Sequence, residues 1–297
     1  MQNKIIELLN KYDFSINEIN NYNNNQFIAL GIGDILFTFT LILNHKIDFT
    51  IIFNLLLFDN EFLKKNHHEI WFFNPLNALE FRLELISNIL KENNIEKNKI
   101  IFTFNNQMVT NSYYNLIYKL QINDYKLKIN IPNSNIQIEN NYIIFHTKCR
   151  FFKGFDYVNF KEQLKIFFKN FKTNKNIILL GERFFNQNWE GKFHNITTIY
   201  EELLILKENN NVIDMTIENI NDNLNFEKYC KDIELIKNAY KNITFGFGGQ
   251  LSTCLIFSIR NTFNFTDDCI NCILDPNIFE NKLYYKDLEY FFNIISE

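Results

Sequence analysis

The feature that most constrains this chain is a rhythm in its second half, where short apolar runs alternate with segments of helical periodicity. Asn141–His146, Asn176–Leu180, Val212–Met215, Ile243–Phe247 and Cys272–Leu274 are short and mainly apolar, and each fits a strand buried on both faces. Between them, Phe160, Leu164, Phe167, Phe168 and Phe171 repeat at helical spacing. So do Ile199, Leu203 and Leu204, and again Tyr229, Ile233, Ile236 and Tyr240. Strand and helix in alternation predict βαβ units around a mostly parallel sheet. The first half keeps a blurrier version of this cadence. Strands are expected at Phe27–Leu30, Ile70–Phe73 and Ile100–Phe104, and helices at Asp34–Asn44 and Asn77–Leu90; Ile47–Phe58 fits either. The polar stretch Tyr125–Asn140, with Pro132 in it, is the expected linker, and Tyr284–Ser296 the closing helix. The expected fold is α/β, with two Rossmann-like domains, 1–138 and 139–297, facing across a cleft.

A chain of 297 residues has room for two such cores, and its 46% apolar share supplies them. A net charge of −4 offers no basic footprint for nucleic acid. The longest mostly apolar run, Ile35–Leu43, falls short of the roughly 18–20 residues a membrane span needs, and Met1–Lys4 starts no signal peptide. Five cysteines, an odd number, fit free thiols in a reducing compartment, so a cytoplasmic protein is expected.

Asn, Ile, Lys, Phe and Tyr crowd the chain while Gly falls to 8 and Pro to 3, the signature of A+T-rich codons. Asn20–Asn25 and Asn209–Asn211 then read as drift in loops. Where glycine is this scarce, its positions mark backbone that needs positive φ or close approach. Gly31 and Gly33 follow the first expected strand, Gly181 follows Ile177–Leu180, and Gly246, Gly248 and Gly249 follow Ile243–Phe245. Ligands of open α/β sheets bind at such strand ends, where helix N-termini point at them.

The turn Phe245–Thr253 lets main-chain N–H groups approach an anion, with Gly248, Gly249, Gln250, Leu251, Ser252 and Thr253 as the cradle. Its spacing is neither a Walker loop nor a dinucleotide fingerprint; the alternative is a tight turn without ligand. Lys148, Arg150 and Lys153 after His146 form a cationic loop suited to a diphosphate, or a solvated one. Glu182 can accept hydrogen bonds from a ribose or sugar, or pair with Arg183. Asp34, beside Gly33, is either a helix cap or a general base. Cys269 and Cys272 have redox or half-zinc spacing but lack a second pair, so no metal and no cofactor is expected. Asp267-Asp268 reads as an acidic loop and His67-His68 as a surface loop.

These motifs, over most of the chain, resemble the ADP-heptose–lipopolysaccharide heptosyltransferase family, glycosyltransferases of the GT-B architecture. Gly33-Asp34-Ile35-Leu36 matches the family's opening turn, Lys153-Gly154-Phe155 its Lys-x-Trp element with Phe for Trp, Gly181-Glu182 its next strand end, and Gly248–Ser252 its last glycine turn. Phe247 and Thr253 stand where the family has Asp and His. The resemblance implies metal-independent, inverting transfer from a nucleotide-diphosphate sugar to a glycan or lipid-linked acceptor, with possible peripheral contact at a membrane. It casts Asp34 as the base, Lys153 with Lys148 or Arg150 as the diphosphate's cations, and Glu182 as a donor contact. A nucleotide-sugar epimerase or fucosyltransferase-like enzyme on the same architecture would centre on His146, Lys148 and Arg150. A non-catalytic nucleotide- or glycan-binding protein would keep only the turns.

Overall fold

The computed structural model describes residues 1–17, 26–28, 31–45, 50–66, 72, 74–104, 127–131, 141–152, 154–184, 194–218, 223–246, 248–266, 284–285 and 287–297. The chain is an α/β protein with two mostly parallel sheets. It divides into two compact units, Met1–Pro132 with Asn221–Tyr229, and Asn133–Ile220 with Cys230–Glu297.

In the first unit, β1 (Gln26–Ile28), β2 (Thr50–Asn54) and β3 (Ile100–Thr103) form a parallel sheet in that order. Its helices are α1 (Gln2–Lys11), α2 (Ile32–His45), α3 (Asn60–Lys65) and α4 (Pro75–Glu92). α4 starts where the Asn74 side chain accepts from the Asn77 N–H and Pro75 takes the first helical position, where a missing N–H costs nothing. Its stripe of Leu79, Leu83, Ile86 and Leu90 is buried. Within the ambiguous segment 47–58, residues 50–58 form β2 followed by a 3-10 turn, Leu55–Phe58, whose start the Asn54 side chain ties down.

One expectation needs correction here. α2 begins at Ile32, so Gly33 lies inside the helix and not in a turn before it. Within the expected linker, residues 127–131 are strapped to α4: Leu127 and Ile129 are buried, and Lys128 exchanges main-chain hydrogen bonds with the Asn93 amide at 2.8 and 3.0 Å. The apolar residues alternate with polar ones, so the stretch lies down on a surface with one side in.

The second unit holds β4 (Tyr142–Phe152), β5 (Asn176–Leu180), β6 (His194–Thr198), β7 (Val212–Asp214), β8 (Lys241–Gly246), β9 (Thr262–Phe265) and β10 (Tyr284–Tyr285). The parallel path runs β7-β5-β4-β8-β9-β10, with β6 antiparallel beside β4. Numbered by first appearance, that path is 3-2-1-4-5-6, the doubly wound Rossmann order. Helices α5 (Tyr157–Asn170), α6 (Tyr200–Leu204), α7 (Phe226–Asn238, whose residues 226–229 count with the first unit), α8 (Gly249–Ser258) and α9 (Leu288–Ser296) lie between and after the strands. One core joins Phe145, Phe151, Phe160, Phe168, Phe245, Phe265 and Phe291, so the helical Phe stripe of α5 meets the sheet edge-on, as with Phe168 against Phe145 at 5.5 Å.

Other expectations change in this unit. β4 does not stop at His146 but runs on to Phe152, so His146–Arg150 is strand and not a loop. The closing helix starts only at Leu288, capped by Asp287, because Tyr284–Tyr285 pairs with β9. β6 and β9 carry Thr and Asn at alternate places and lack the apolar run that marks a buried strand. The expected strands Ile70–Phe73, apart from Phe72, and Cys272–Leu274 lie outside the described residues, as do Leu30, His67-His68, Asp267-Asp268, Cys269 and Lys153.

Candidate functional site

The Rossmann order puts the switch point between β4 and β8, whose connections leave in opposite directions. β4 is built unusually there. From Phe145 to Cys149 it advances four residues while β8 advances two, from Ile243 to Phe245. This irregularity, a bulge, carries β4 past the sheet's carboxyl edge, where Lys148–Phe152 pairs with β6. Strand alternation then sorts the side chains: Cys149 and Phe151 turn into the aromatic core, and Lys148 and Arg150 turn to the other face.

That face brings most of the expected site together. The Lys148 ammonium lies 2.8 Å from the Glu182 carboxylate, which is fully buried. The Thr147 hydroxyl donates to the Glu182 carbonyl at 2.7 Å. The Arg150 side chain passes over Gly248, its Cδ 3.9 Å from where a Cβ would stand. The Gln250 amide sits over Gly181, and its Oε1 is buried with no hydrogen-bond partner among the described residues. His146 is 2% exposed, and burial pushes its pKa down to about 3, so the ring is neutral. Its Nε2 lies 3.2 Å from the Cys254 sulfur, a thiol that burial keeps protonated, while Nδ1 has no partner among the described residues.

The glycine turn is where close approach dictates residue type. Gly246 has φ +77, and a Cβ there would stand 2.7 Å from the Arg150 carbonyl carbon. The first helical bond of α8 runs from the Ser252 N–H to the Gly248 carbonyl at 3.0 Å, so the N–H groups of Gly249, Gln250 and Leu251 have no helical acceptor. α8 has no acid in its first turn. Ser252 and Thr253 are buried and turn their hydroxyls back to the Gly248 and Gly249 carbonyls at 2.9 and 2.8 Å, so the cradle is main chain and Arg150.

Two assignments change. Glu182 does not pair with Arg183: neighbours in an extended chain point to opposite sides, and the structure gives Glu182 to Lys148. Arg183 instead donates from Nε to the Thr216 hydroxyl at 2.9 Å and lies 3.6 Å from Asp214. The Tyr200 hydroxyl donates to Asp214 at 2.6 Å. Against the desolvation that opposes it, bonds from Thr216 and Tyr200 and the Arg183 charge hold the Asp214 carboxyl below its ordinary pKa. This cluster at the ends of β5 and β7 was missed, although the period of two already separated residues 182 and 183.

Asp34 and Gly33 belong to the first unit. Asp34, in the first turn of α2, accepts from the Gly31 N–H at 3.0 Å. The buried Arg82 stacks 4.5 Å over Phe72 and donates to the Ala78 carbonyl; burial lowers its pKa to about 10, against which the Asp34 charge acts. Phe155, the aromatic of the Lys-x-Trp-like element, stacks on Phe151 at 4.0 Å. Among the described residues no His, Cys, Asp or Glu group has the arrangement of a metal site, and no helix is long and apolar enough to cross a membrane.

Fold and geometry define an α/β chain with a Rossmann-order sheet and a glycine turn at its switch point. No family model, no curated protein and no solved structure matches the chain.

Proposed function

We propose that the second unit binds a nucleoside diphosphate and that the chain is a GT-B glycosyltransferase that uses the corresponding nucleotide sugar as donor. The observation that carries this reading is the turn at the switch point: first-turn N–H groups of α8 that lack a helical acceptor, and the Arg150 side chain over Gly248. Helix N-termini with a guanidinium are suited to phosphate oxygens, and they stabilise a departing diphosphate by fixed charge. Asp34 would deprotonate the acceptor hydroxyl, giving inversion; the buried Arg82 guanidinium interacts with its charge.

The Asp34 hydrogen bond to Gly31 favours a second reading, a nucleotide-binding protein in which Asp34 is only a cap. A thermal-shift series with nucleoside diphosphates, followed by donor-sugar turnover for the wild type and Asp34→Asn, separates the two. A nucleotide-dependent shift with turnover that falls at least 100-fold in the variant supports the transferase. A shift without turnover leaves the binding protein, and no shift rejects both.

A further inference from the structure

Just past the end of β5 stands a guanidinium that the fold orients and leaves unspent. The Thr216 hydroxyl has one proton, which it donates to Asp214, so its oxygen is the acceptor for Arg183 Nε at 2.9 Å. Main-chain bonds fix the root of the same side chain. The Arg183 N–H donates to the Ile217 carbonyl at 2.9 Å, and the Thr198 hydroxyl donates to the Arg183 carbonyl at 3.1 Å.

The neighbouring carboxylates are engaged elsewhere. Asp214 Oδ1 accepts from the Thr216 N–H at 3.0 Å and from the Thr216 hydroxyl, and Oδ2 accepts from the Tyr200 hydroxyl at 2.6 Å. Arg183 Nη2 stands 3.6 Å from Oδ2, which is beyond hydrogen-bond length. Glu182 is buried and held by Lys148. Among the described residues neither Nη1 nor Nη2 has a hydrogen-bond partner, and 42% of the Arg183 side chain is exposed.

The Nη1–Nη2 edge of a guanidinium is a fork that matches two oxygens of one carboxylate or phosphate. A fork already held through Nε loses little freedom when it binds one. Only β4 lies between β5 and β8, so the strands leading to this fork and to the glycine turn are two spacings, about 10 Å, apart on one carboxyl edge. One nucleotide sugar covers that span.

We infer that Arg183 is a second anion subsite, and that the ligand carries an acidic group besides its diphosphate, a carboxylate or phosphate ester on its sugar or its ribose. The inference rests on the nucleotide reading of the same edge.

Calorimetry on the full chain tests this with ligand pairs that differ by one acidic group: UDP-glucose with UDP-glucuronate, and ADP with 2′-phospho-ADP. The wild type is expected to favour the more acidic member of at least one pair by about ten-fold. Arg183→Gln lowers the affinity for that member about ten-fold and leaves the other member within about two-fold, which also shows that the variant is folded. A preference in the UDP pair puts the acid on the sugar, and one in the ADP pair puts it on the ribose. Equal affinities within both pairs, a preference that survives Arg183→Gln, or equal losses for both members overturn the subsite while the nucleotide reading stands. A wild type that binds none of these nucleotides overturns both.

Discussion

Two strand-to-helix turns in this chain are marked by paired glycines, and they differ in what meets the helix N-terminus. At α2, Asp34 in the first turn folds its carboxylate back onto the Gly31 N–H, so the positive end of the helix is already met by a negative group of its own. At α8, the first turn holds Gly249, Gln250 and Leu251 and no acid of its own, and Arg150 adds a further positive charge. The same local chemistry, glycine before a helix, therefore yields a self-satisfied turn in one unit and an anion-receptive turn in the other. One carboxylate decides the difference, since an anion at a helix N-terminus contributes roughly 0.3–1 kcal/mol whether the chain or a ligand supplies it.

The comparison also extends below the surface. The α8 turn stands on a pre-wired layer: Glu182 buried with Lys148, and neutral His146 against Cys254. Under α2 the buried charge is Arg82, stacked on Phe72 and opposed by Asp34. In each case a buried ion is tolerated because an opposite charge is near.

The sharpest way to break the comparison is to remove a support of the α8 turn. Lys148→Met takes the ammonium away from the buried Glu182 carboxylate, so urea denaturation should show a loss of about 3–5 kcal/mol, largely recovered when Glu182→Gln is added. A single-variant loss below about 1 kcal/mol would mean that the pair is not structural. Gly246→Ala comes next, at about 3 kcal/mol, because positive φ and the Arg150 main chain both oppose a side chain. Gly181→Ala should cost less in the same assay, since one of the atoms it meets is the end of the Gln250 side chain, which can swing away.

Protonation gives a third handle, with a sign. The folded His146 pKa of about 3 lies below the ordinary 6.5, so the unfolded chain binds the proton more tightly. Its contribution is therefore present above pH 6.5 and is lost as pH falls toward 3. Stability measured at pH 7 and pH 4.5 should drop less in His146→Asn than in the wild type; equal drops would show that His146 does not report the buried layer.

The smallest effects come from exchanging the characters of the two turns. Gln250→Glu gives α8 its own carboxylate and should weaken pyrophosphate binding about five- to ten-fold in calorimetry. Unchanged pyrophosphate affinity in Gln250→Glu would mean that the α8 N-terminus is not where the anion binds.

Much of the architecture was legible in local periodicity. β5 is apolar throughout because both faces are covered, and α5 shows its Phe160, Leu164 and Phe168 stripe because one face is. β6, β9 and β10 were not legible. Their Thr, Asn and Tyr residues carry no buried-strand signal, and their pairing comes from neighbours distant in sequence. The site divides the same way. The glycines were found because their scarcity made each one informative, whereas the Arg183–Asp214–Tyr200 cluster joins residues from three separate elements.

By itself, the sequence determined the α/β class, the crossover helices and the glycine positions, because these depend on residue spacing within a few turns or strands and on backbone sterics. Only the tertiary structure decided strand order, and with it the place of the switch point between β4 and β8. It also decided which charges face solvent. Glu182 and Arg183 are adjacent in the chain, yet one is sealed against Lys148 and the other, half-exposed, bonds to Thr216 and lies by Asp214. The physical reason is that burial and charge pairing depend on which strands become neighbours. Non-local packing sets that arrangement, and no local pattern encodes it.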